Sequence, residues 1–254
     1  KIISMKVLAN DGVSQSGIDT LTGAGFEVIT TKVAQEQLAN YINQNNISVL
    51  LVRSATTARK ALIDACPSLK VIGRGGVGMD NIDVTYAREK GLSVINTPAA
   101  SSSSVAELVF AHLFGGVRYL FDANRNMPLD GDTRFKELKK NYAKGSELRG
   151  KTIGIIGFGR IGREVAKIAL GCGMKVIASD NYVDTANITL DFFDGQKVTI
   201  EVKTKPIDDL IQQSDFITLH VPAQKQYVIG RAQIEKMKDG AAIINAARGG
   251  VIDE

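Results

Sequence analysis

Short apolar runs alternate with amphipathic segments along the first hundred residues. The apolar runs have the length of buried strands, and the segments between them have the 3.6-residue period of helices. Strands are predicted at 5–9, 26–30, 49–52, 71–73 and 93–95, and helices at 16–24, 35–44, 59–65 and 83–90. Because strands that alternate with helices form parallel sheets, this pattern predicts an α/β domain with helices on both faces.

The same alternation returns after residue 150, beyond a different kind of segment. Residues 96–104 are polar and serine-rich, 105–119 predict a long apolar helix, and 122–150 are lysine-rich and predict a loop or arm. Strands follow at 174–179, 216–220 and 242–245, with helices near 207–213 and 231–237. Asp194-Gly195 predicts the turn of a small hairpin. We therefore expect a second parallel-sheet domain and a hinge near residues 97–101.

A glycine-rich turn follows the buried strand that starts at Lys151. Gly157 allows a tight turn, Gly159 lets a pyrophosphate approach the backbone, and Gly162 lets the following helix pack closely. Asp180 ends the next strand, where its carboxylate accepts hydrogen bonds from ribose and repels a 2′-phosphate. These features predict a Rossmann domain that binds NAD rather than NADP.

Composition and charge narrow the class of protein. The 254 residues are 44% hydrophobic, with a formal net charge of +4 and dispersed basic residues. No apolar run approaches the length of a membrane span, and aromatic residues are too sparse to favour nucleic-acid binding. Cys66 and Cys172 have no metal-ligand spacing, so we expect reduced thiols, a cytoplasmic location, no bound metal and small anionic ligands.

Motifs along nearly the whole chain resemble, in order, those of the D-2-hydroxyacid dehydrogenases. They are RSATT at 53–57, GRGGVGMDNID at 73–83, NTP at 96–98, SVAE at 104–107, GFGRIG at 157–162, HVP at 220–222 and NAARGGVIDE at 245–254. Within the family, the branch that acts on 3-phosphoglycerate is the most similar. The resemblance implies two doubly wound parallel-sheet domains, a substrate-binding, flavodoxin-like domain at 1–98 and a Rossmann domain at 99–254, with the active site in the cleft between them.

The resemblance also implies an activity. It is the NAD-dependent oxidation of 3-phospho-D-glycerate to 3-phosphohydroxypyruvate, the first step of L-serine biosynthesis, by a homodimer or homotetramer. Two alternatives stay open: a dehydrogenase of another D-2-hydroxy acid, such as glycerate, glyoxylate, hydroxypyruvate or lactate, and an NAD-binding sensor similar to transcriptional corepressors. The chain retains Arg53, the Gly75-Gly76 loop and Arg248, which together would hold a substrate carboxylate. This carboxylate clamp favours an enzyme, because a sensor of NAD alone has no use for it.

Site residues follow from the same resemblance. Arg248 matches the catalytic arginine, whose planar guanidinium holds a carboxylate and polarises the C2 oxygen. The implied substrate-binding residues are Arg53, Ser54, Gly75, Gly76, Val77 and Asn96, with the glycine loop offering backbone amides. The implied cofactor-binding residues are Val105, Gly157, Gly159, Arg160, Ile161, Gly162, Asp180, His220, Val221, Pro222 and Ala246.

The sequence departs from the family pattern at its end. Family members carry a catalytic glutamate and then a catalytic histidine beyond the segment that ends here at Glu254, so we expect the enzyme to be incomplete as given. We interpret His112 as a packed or interface residue and His220 as part of the cofactor wall. The basic residues within 134–144 have two open interpretations, a contact to a substrate phosphate and a solvated surface.

Overall fold

A computed structural model describes residues 5–254 of the chain. It divides into two units between Ser101 and Ser102, inside the serine-rich segment. Each unit has its own parallel sheet and its own buried hydrophobic clusters. The α/β class predicted from the alternation of strands and helices is confirmed.

The first unit is a five-stranded parallel sheet in the order β2-β1-β3-β4-β5. Its elements, in chain order, are β1 (Lys6–Ala9), α1 (Gln15–Gly23), β2 (Glu27–Ile29), α2 (Gln35–Asn45), β3 (Ile47–Val52), α3 (Lys60–Ala65), β4 (Val71–Arg74), α4 (Val84–Glu89) and β5 (Ser93–Asn96). Leu8, Leu50 and Ile72 form the middle of its core. Because all five strands are parallel, the loops that follow β1, β3, β4 and β5 meet at one edge.

The second unit begins with two helices, α5 (Ser102–Val117) and α6 (Leu120–Tyr142). A four-stranded parallel sheet follows in the order β11-β10-β6-β7. The remaining elements are β6 (Thr152–Ile156), α7 (Arg160–Gly171), β7 (Lys175–Ser179), β8 (Thr185–Asp191), β9 (Lys197–Lys203), α8 (Ile207–Gln213), β10 (Phe216–Leu219), α9 (Arg231–Ile234) and β11 (Ala242–Asn245). Helices α5 and α7 share one buried cluster with this sheet, and α8 contributes to another.

The predicted loop or arm at 122–150 is wrong, because most of that segment is helix α6. Pro128 lies inside the helix, Arg134 has a non-helical φ of −118°, and Leu138 is its one buried residue. A helix that buries so little leaves almost no apolar periodicity in the sequence. Side-chain pairs at helical spacing support it, because Arg134 binds both Asp130 and Glu137.

The hairpin predicted around Asp194-Gly195 is confirmed, and its strands are longer than the sequence indicated. Strands β8 and β9 pair antiparallel from Thr185 opposite Lys203 to Asp191 opposite Lys197. Between residues 5 and 254, no single helix is long and apolar enough to cross a membrane, although α5 and α6, bent by 53° at their break, pass that test as a pair.

Candidate functional site

The glycine turn after β6 contains two glycines that packing requires and one that it does not. Gly157 has a φ of +92°, and a Cβ there would lie 2.7 Å from the carbonyl oxygen of His220. A Cβ on Gly162 would overlap the carbonyl oxygen of Gly157. At Gly159 a Cβ would meet nothing within 4 Å. The open space beside Gly159 is where a closely approaching ligand fits, as the motif requires for a pyrophosphate.

Helix α7 begins at this turn and points its N-terminus towards the open space. Gly159 is its N-cap and supplies no side chain, and the first turn contains no acidic residue. The first amides of a helix have no acceptor within it, and together with the helix dipole they favour an anion. Arg160 and Ile161 are the first two residues of this turn, so their predicted place beside the cofactor matches the geometry.

Asp180 connects the glycine turn to the loop that follows β7. One carboxylate oxygen accepts a 2.6 Å hydrogen bond from the amide of Phe158, and the other accepts a 2.8 Å bond from the amide of Tyr182. A carboxylate has lone pairs beyond these two bonds, so ribose hydroxyls can still donate to it. The residue predicted to bind ribose therefore also fixes the turn that is predicted to bind the pyrophosphate.

His220 follows β10 at the same edge of the sheet. Its Nε2 lies 3.0 Å from Thr218 Oγ1, while Nδ1 is buried without a hydrogen-bond partner among the residues described. Burial lowers the pKa of His220 to about 4. The imidazole is thus uncharged at neutral pH, which suits a wall of the cofactor site and argues against a role as the protonated acid. Val221 and Pro222, which the sequence predicts for the same wall, follow His220 directly.

Arg248 lies in the turn after β11. The side chain of Asn245 shapes this turn, because its Oδ1 accepts a 3.1 Å hydrogen bond from the amide of Ala247 and its Nδ2 donates to the carbonyl of Arg248 at 2.9 Å. Arg248 Nη1 donates to the carbonyl of Ala247 at 2.8 Å. Since β6, β10 and β11 are parallel neighbours, the turns that carry Gly157, His220, Ala246 and Arg248 all follow the carboxyl ends of adjacent strands.

In the first unit, a pocket of about 340 Å³ lies at the carboxyl ends of the strands. Three of the predicted substrate-binding residues, Arg53, Gly75 and Asn96, are among those that line it. Ser54, Gly76 and Val77 belong to the adjoining loops and are not among the lining residues. The structure therefore places half of the predicted set around one cavity.

The loop after β4 uses its glycine amides differently from the prediction. Gly75 N donates to Val52 O at 2.9 Å, and Gly76 N donates to Arg74 O at 3.0 Å. Within residues 5–254, no hydrogen bond engages the amides of Val77 and Gly78, so these are the amides that can reach a carboxylate. Asn96 Nδ2 donates to Val77 O at 2.7 Å, which makes Asn96 a support of this loop.

A polar network beneath the same edge escaped the sequence analysis. Asp11 accepts hydrogen bonds from the amides of Arg53 and Thr56 and from Thr56 Oγ1. Asn81 Nδ2 donates to the carbonyls of Arg53 and Thr56. Burial works to raise the pKa of Asp11, but these hydrogen bonds outweigh it and hold the pKa below its ordinary value. The available signal was the position of Asn10-Asp11 directly after a buried strand.

The structure also places the remaining residues that the sequence singled out. Val105 is in the first turn of α5 and is partly buried, Ser54 is exposed after β3, and His112 is exposed on α5. No group of three or more His, Cys, Asp or Glu side chains suited to a metal ion occurs in the part of the chain that the structure describes.

Comparison with known proteins identifies the relatives of the chain. Residues 110–254 match the family model of the D-isomer specific 2-hydroxyacid dehydrogenase NAD binding domain. The chain is 40% identical to a hydroxypyruvate reductase of Thermotoga maritima, covering 98% of this chain and 76% of that protein. It is 39% identical to a D-3-phosphoglycerate dehydrogenase of Methanocaldococcus jannaschii, covering 98% of this chain but 45% of that protein.

A solved structure gives the same result for the fold. The NAD⁺-bound 3-phosphoglycerate dehydrogenase of Entamoeba histolytica matches with a TM-score of 0.73 and 29% identity, covering 98% of this chain and 74% of that one. The chain therefore spans about three quarters of some relatives and less than half of the longer phosphoglycerate dehydrogenases. Because 98% of this chain is covered, the match includes residues of both units.

Proposed function

The chain belongs to the D-isomer-specific 2-hydroxyacid dehydrogenase family, and from that membership we propose that it oxidises 3-phospho-D-glycerate to 3-phosphohydroxypyruvate with NAD. In this reaction a hydride moves from C2 of the hydroxy acid to the nicotinamide, and the C2 hydroxyl loses a proton. The observation that carries the proposal is the open space at Gly159 between two glycines that packing requires. Such a cradle serves a bound pyrophosphate.

Arg248 is the residue to which we assign the chemistry. A guanidinium can bind the substrate carboxylate through two parallel hydrogen bonds and polarise the C2 oxygen as it becomes a carbonyl. The turn that Asn245 shapes fixes the backbone on either side of Arg248, which restricts where the guanidinium can reach. We do not assign the hydroxyl proton to His220, because a pKa of about 4 makes its ring a weak base.

The pocket of the first unit is our candidate for binding the hydroxy acid. Arg53 contributes a cation to its lining, and the adjoining loop exposes the amides of Val77 and Gly78, which are donors for a carboxylate. The network of Asp11 and Asn81 holds the segment around Arg53 in place. This arrangement favours an enzyme over a sensor, since a sensor of NAD alone needs no carboxylate clamp.

A second substrate has a specific observation in its favour. The chain is 40% identical to a hydroxypyruvate reductase and covers a larger share of it than of the phosphoglycerate dehydrogenases. Hydroxypyruvate lacks the phosphate, so the two substrates share the carboxylate and the C2 centre and differ at C3. The same Arg248 and loop amides serve both, and the choice depends on what contacts the phosphate.

The test is a comparison of substrates in the full-length protein, monitored by the absorbance of NADH. We expect 3-phosphoglycerate to be oxidised with NAD, and hydroxypyruvate to be reduced more slowly than 3-phosphohydroxypyruvate. Arg248→Ala should lower kcat/KM by about 10²–10³-fold. The matched control is Arg231→Ala, since Arg231 is an exposed arginine of the same unit, paired only at the surface with Glu235.

Each other outcome changes the assignment. If the protein prefers hydroxypyruvate, its proposed activity becomes that of a hydroxypyruvate reductase. Tight NAD binding without turnover of any D-2-hydroxy acid would support the sensor instead. Activity that Arg248→Ala and Arg231→Ala reduce equally would remove Arg248 from the reaction.

A further inference from the structure

The β8–β9 hairpin has two different halves. Its apolar face consists of Ala186, Ile188 and Leu190 on β8, opposite Val202, Ile200 and Val198 on β9. Near the base of the hairpin, Ala186, Ile188 and Val202 are buried in the cluster that includes α7. Towards the tip the cover ends, and Val198 is 47% exposed. The hairpin thus carries an apolar face beyond the body of its own unit.

One edge of β8 has no neighbour. The amide of Phe192 donates to Gln196 O and the amide of Thr204 donates to Asp184 O, which sets the pattern in which even-numbered residues of β8 bond to β9. Thr185, Asn187, Thr189 and Asp191 therefore direct their backbone N–H and C=O groups away from β9. None of the described residues pairs with these groups.

This edge also lacks the features by which proteins protect exposed strands. Three other edge strands are short, with three residues in β2 and four each in β5 and β11, and the equally long edge strand β9 carries lysines at both ends. Strand β8 has seven residues, with no lysine, no proline and no break in its register. Short length, lysine, proline and bulges are the usual protections against pairing with another chain. A long strand without them is suited to accept one.

Aromatic side chains flank both ends of this edge. Phe193, in the turn of the hairpin, is fully exposed, and Phe192 beside it is 51% exposed. Tyr182, just before β8, is 95% exposed. Large apolar side chains exposed together indicate an interaction surface. They belong to a single stretch of chain, with β8 between them.

We propose that β8 pairs antiparallel with β8 of a second copy of this chain, joining two hairpins into one four-stranded sheet. If the two strands overlap fully, Ile188 faces Ile188 of the second copy about the twofold axis, and Asn187 faces Thr189. In this register the outward-directed residues are the ones that form hydrogen-bonded pairs, as antiparallel pairing requires. A self-complementary contact of this kind closes as a dimer.

The side chains in that register are compatible on both faces. Ala186 faces Leu190 of the second copy on the apolar face, and Thr185 faces Asp191 on the polar face, so no like charges are opposed. Continued past the end of the strand, the register sets Phe193 opposite Val183 of the second copy and beside Tyr182. The exposed aromatic residues at the two ends are thereby covered by each other, which favours a second copy over an unrelated protein.

The decisive variant is Asn187→Pro in the full-length protein, with Asn187→Ala as the matched control. Proline removes the outward N–H of residue 187 and leaves the hydrogen bonds to β9 intact. Alanine loses the same side chain but keeps that N–H. We expect the mass measured by sedimentation at micromolar concentration to fall by a factor of two for Asn187→Pro and to stay unchanged for Asn187→Ala.

Hydrogen exchange in the unmodified protein provides a second readout that does not depend on how the proline variant folds. The amides of Asn187 and Thr189 should be protected in concentrated samples and lose protection on dilution. Exchange of these two amides that is fast at every concentration would overturn the proposal. So would an unchanged mass for a folded Asn187→Pro protein, or a wild-type assembly whose mass does not exceed that of one chain.

Discussion

The two glycine-rich turns of the molecule occupy equivalent places, each after a buried parallel strand, yet they use their backbone in opposite ways. After β6, the helix that follows leaves its first amides without internal acceptors, and Gly159 leaves space beside them. After β4, the amides of Gly75 and Gly76 are both bound to carbonyls of the same unit. The first amides of α7 are therefore available to a ligand, whereas the amides of Gly75 and Gly76 are already used within their own unit.

This difference shows why a run of glycines does not by itself identify an anion site. In the second unit the glycines are separated by function, because Gly157 and Gly162 satisfy packing and Gly159 faces open space. In the first unit the donors left for a ligand belong to Val77 and Gly78, and side chains such as Asn96 hold that loop in place. Substituting a packing glycine of the turn after β6 should therefore lower both stability and NAD binding. Substituting Gly159 should lower NAD binding alone.

Replacing the packing glycine should have the largest effect. Gly162→Ala forces a Cβ into the carbonyl oxygen of Gly157, which should lower the free energy of unfolding by about 2 kcal/mol and abolish measurable NAD binding. Gly159→Ala is the control within the same turn. It should change stability by less than about 0.5 kcal/mol but weaken NAD binding by roughly tenfold or more.

Chemical denaturation and NAD titration separate these two outcomes. A Gly159→Ala protein that binds NAD as tightly as the wild type would show that the open space is not used by the cofactor. In that case the contrast between the two turns would lose its functional meaning.

Substitution of Asp180 tests the link between the glycine turn after β6 and the end of β7. Asp180→Ala removes the acceptor for the amides of Phe158 and Tyr182 as well as the predicted acceptor for ribose. Bonds to charged groups contribute about 1.5–3 kcal/mol each, so NAD affinity should fall by roughly tenfold or more. Asp184→Ala, at an exposed carboxylate in the same loop, should leave NAD affinity unchanged in a calorimetric titration. Equal losses in both variants would contradict a specific role for Asp180.

Asn96 tests the turn of the first unit, where we expect a smaller effect. Asn96→Ala removes the hydrogen bond to Val77 O, which should cost about 1 kcal/mol of stability and raise the KM for the hydroxy acid several-fold. Asn43→Ala removes a similar bond to Ala65 O in the same unit. That control should lose comparable stability while its KM stays at the wild-type value. A wild-type KM for Asn96→Ala would separate this loop from substrate binding.

The smallest effect should come from Asp11, which holds the loop after β3. Because the folded pKa of Asp11 lies below 3.8, its contribution to stability is complete above that pH and is lost as the pH falls through the folded pKa. Asp11→Asn should therefore be less stable at neutral pH and lose less stability on acidification. Urea unfolding at a series of pH values measures this, with Asp19→Asn on α1 as the control. Parallel acid curves for wild type and Asp11→Asn would contradict the role assigned to the network.

The sequence predicted those parts of the fold where side-chain burial and backbone geometry agree. The strand from Thr152 to Ile156 is buried at every position, and Gly157, Gly162 and Asp180 have spacings that this geometry requires. Helix α6 has no such agreement. Its pairs between Arg134, Asp130 and Glu137 stabilise a solvated helix, but a polar sequence with Pro128 and Gly131 is equally typical of a loop.

Site residues divide in the same way. The packing roles of Gly157 and Gly162 could be found from sequence, whereas the hydrogen-bond partners of the loop after β4 and of polar side chains could not. Asn96 is predicted as a substrate ligand, and the structure adds a bond to Val77 O that the sequence did not indicate. Asp11 supports the loop of Arg53 from more than forty residues away. Those contacts depend on which strands become neighbours, and the order of a parallel sheet differs from the order of the chain.

The β8–β9 hairpin also lowers the entropic cost of the long connection between β7 and α8. The chain between Ser179 and Ile207 is much longer than the usual link between a strand and the next helix, and fixing its ends would cost entropy if it were irregular. The bridge between Ala178 and Thr204, together with the bond from Lys205 N to Ala178 O, brings the two ends of the hairpin together beside β7. The rest of the unit is therefore connected as if by a short loop. Substitutions or insertions near the tip of the hairpin should not lower the stability of the sheet that carries the glycine turn.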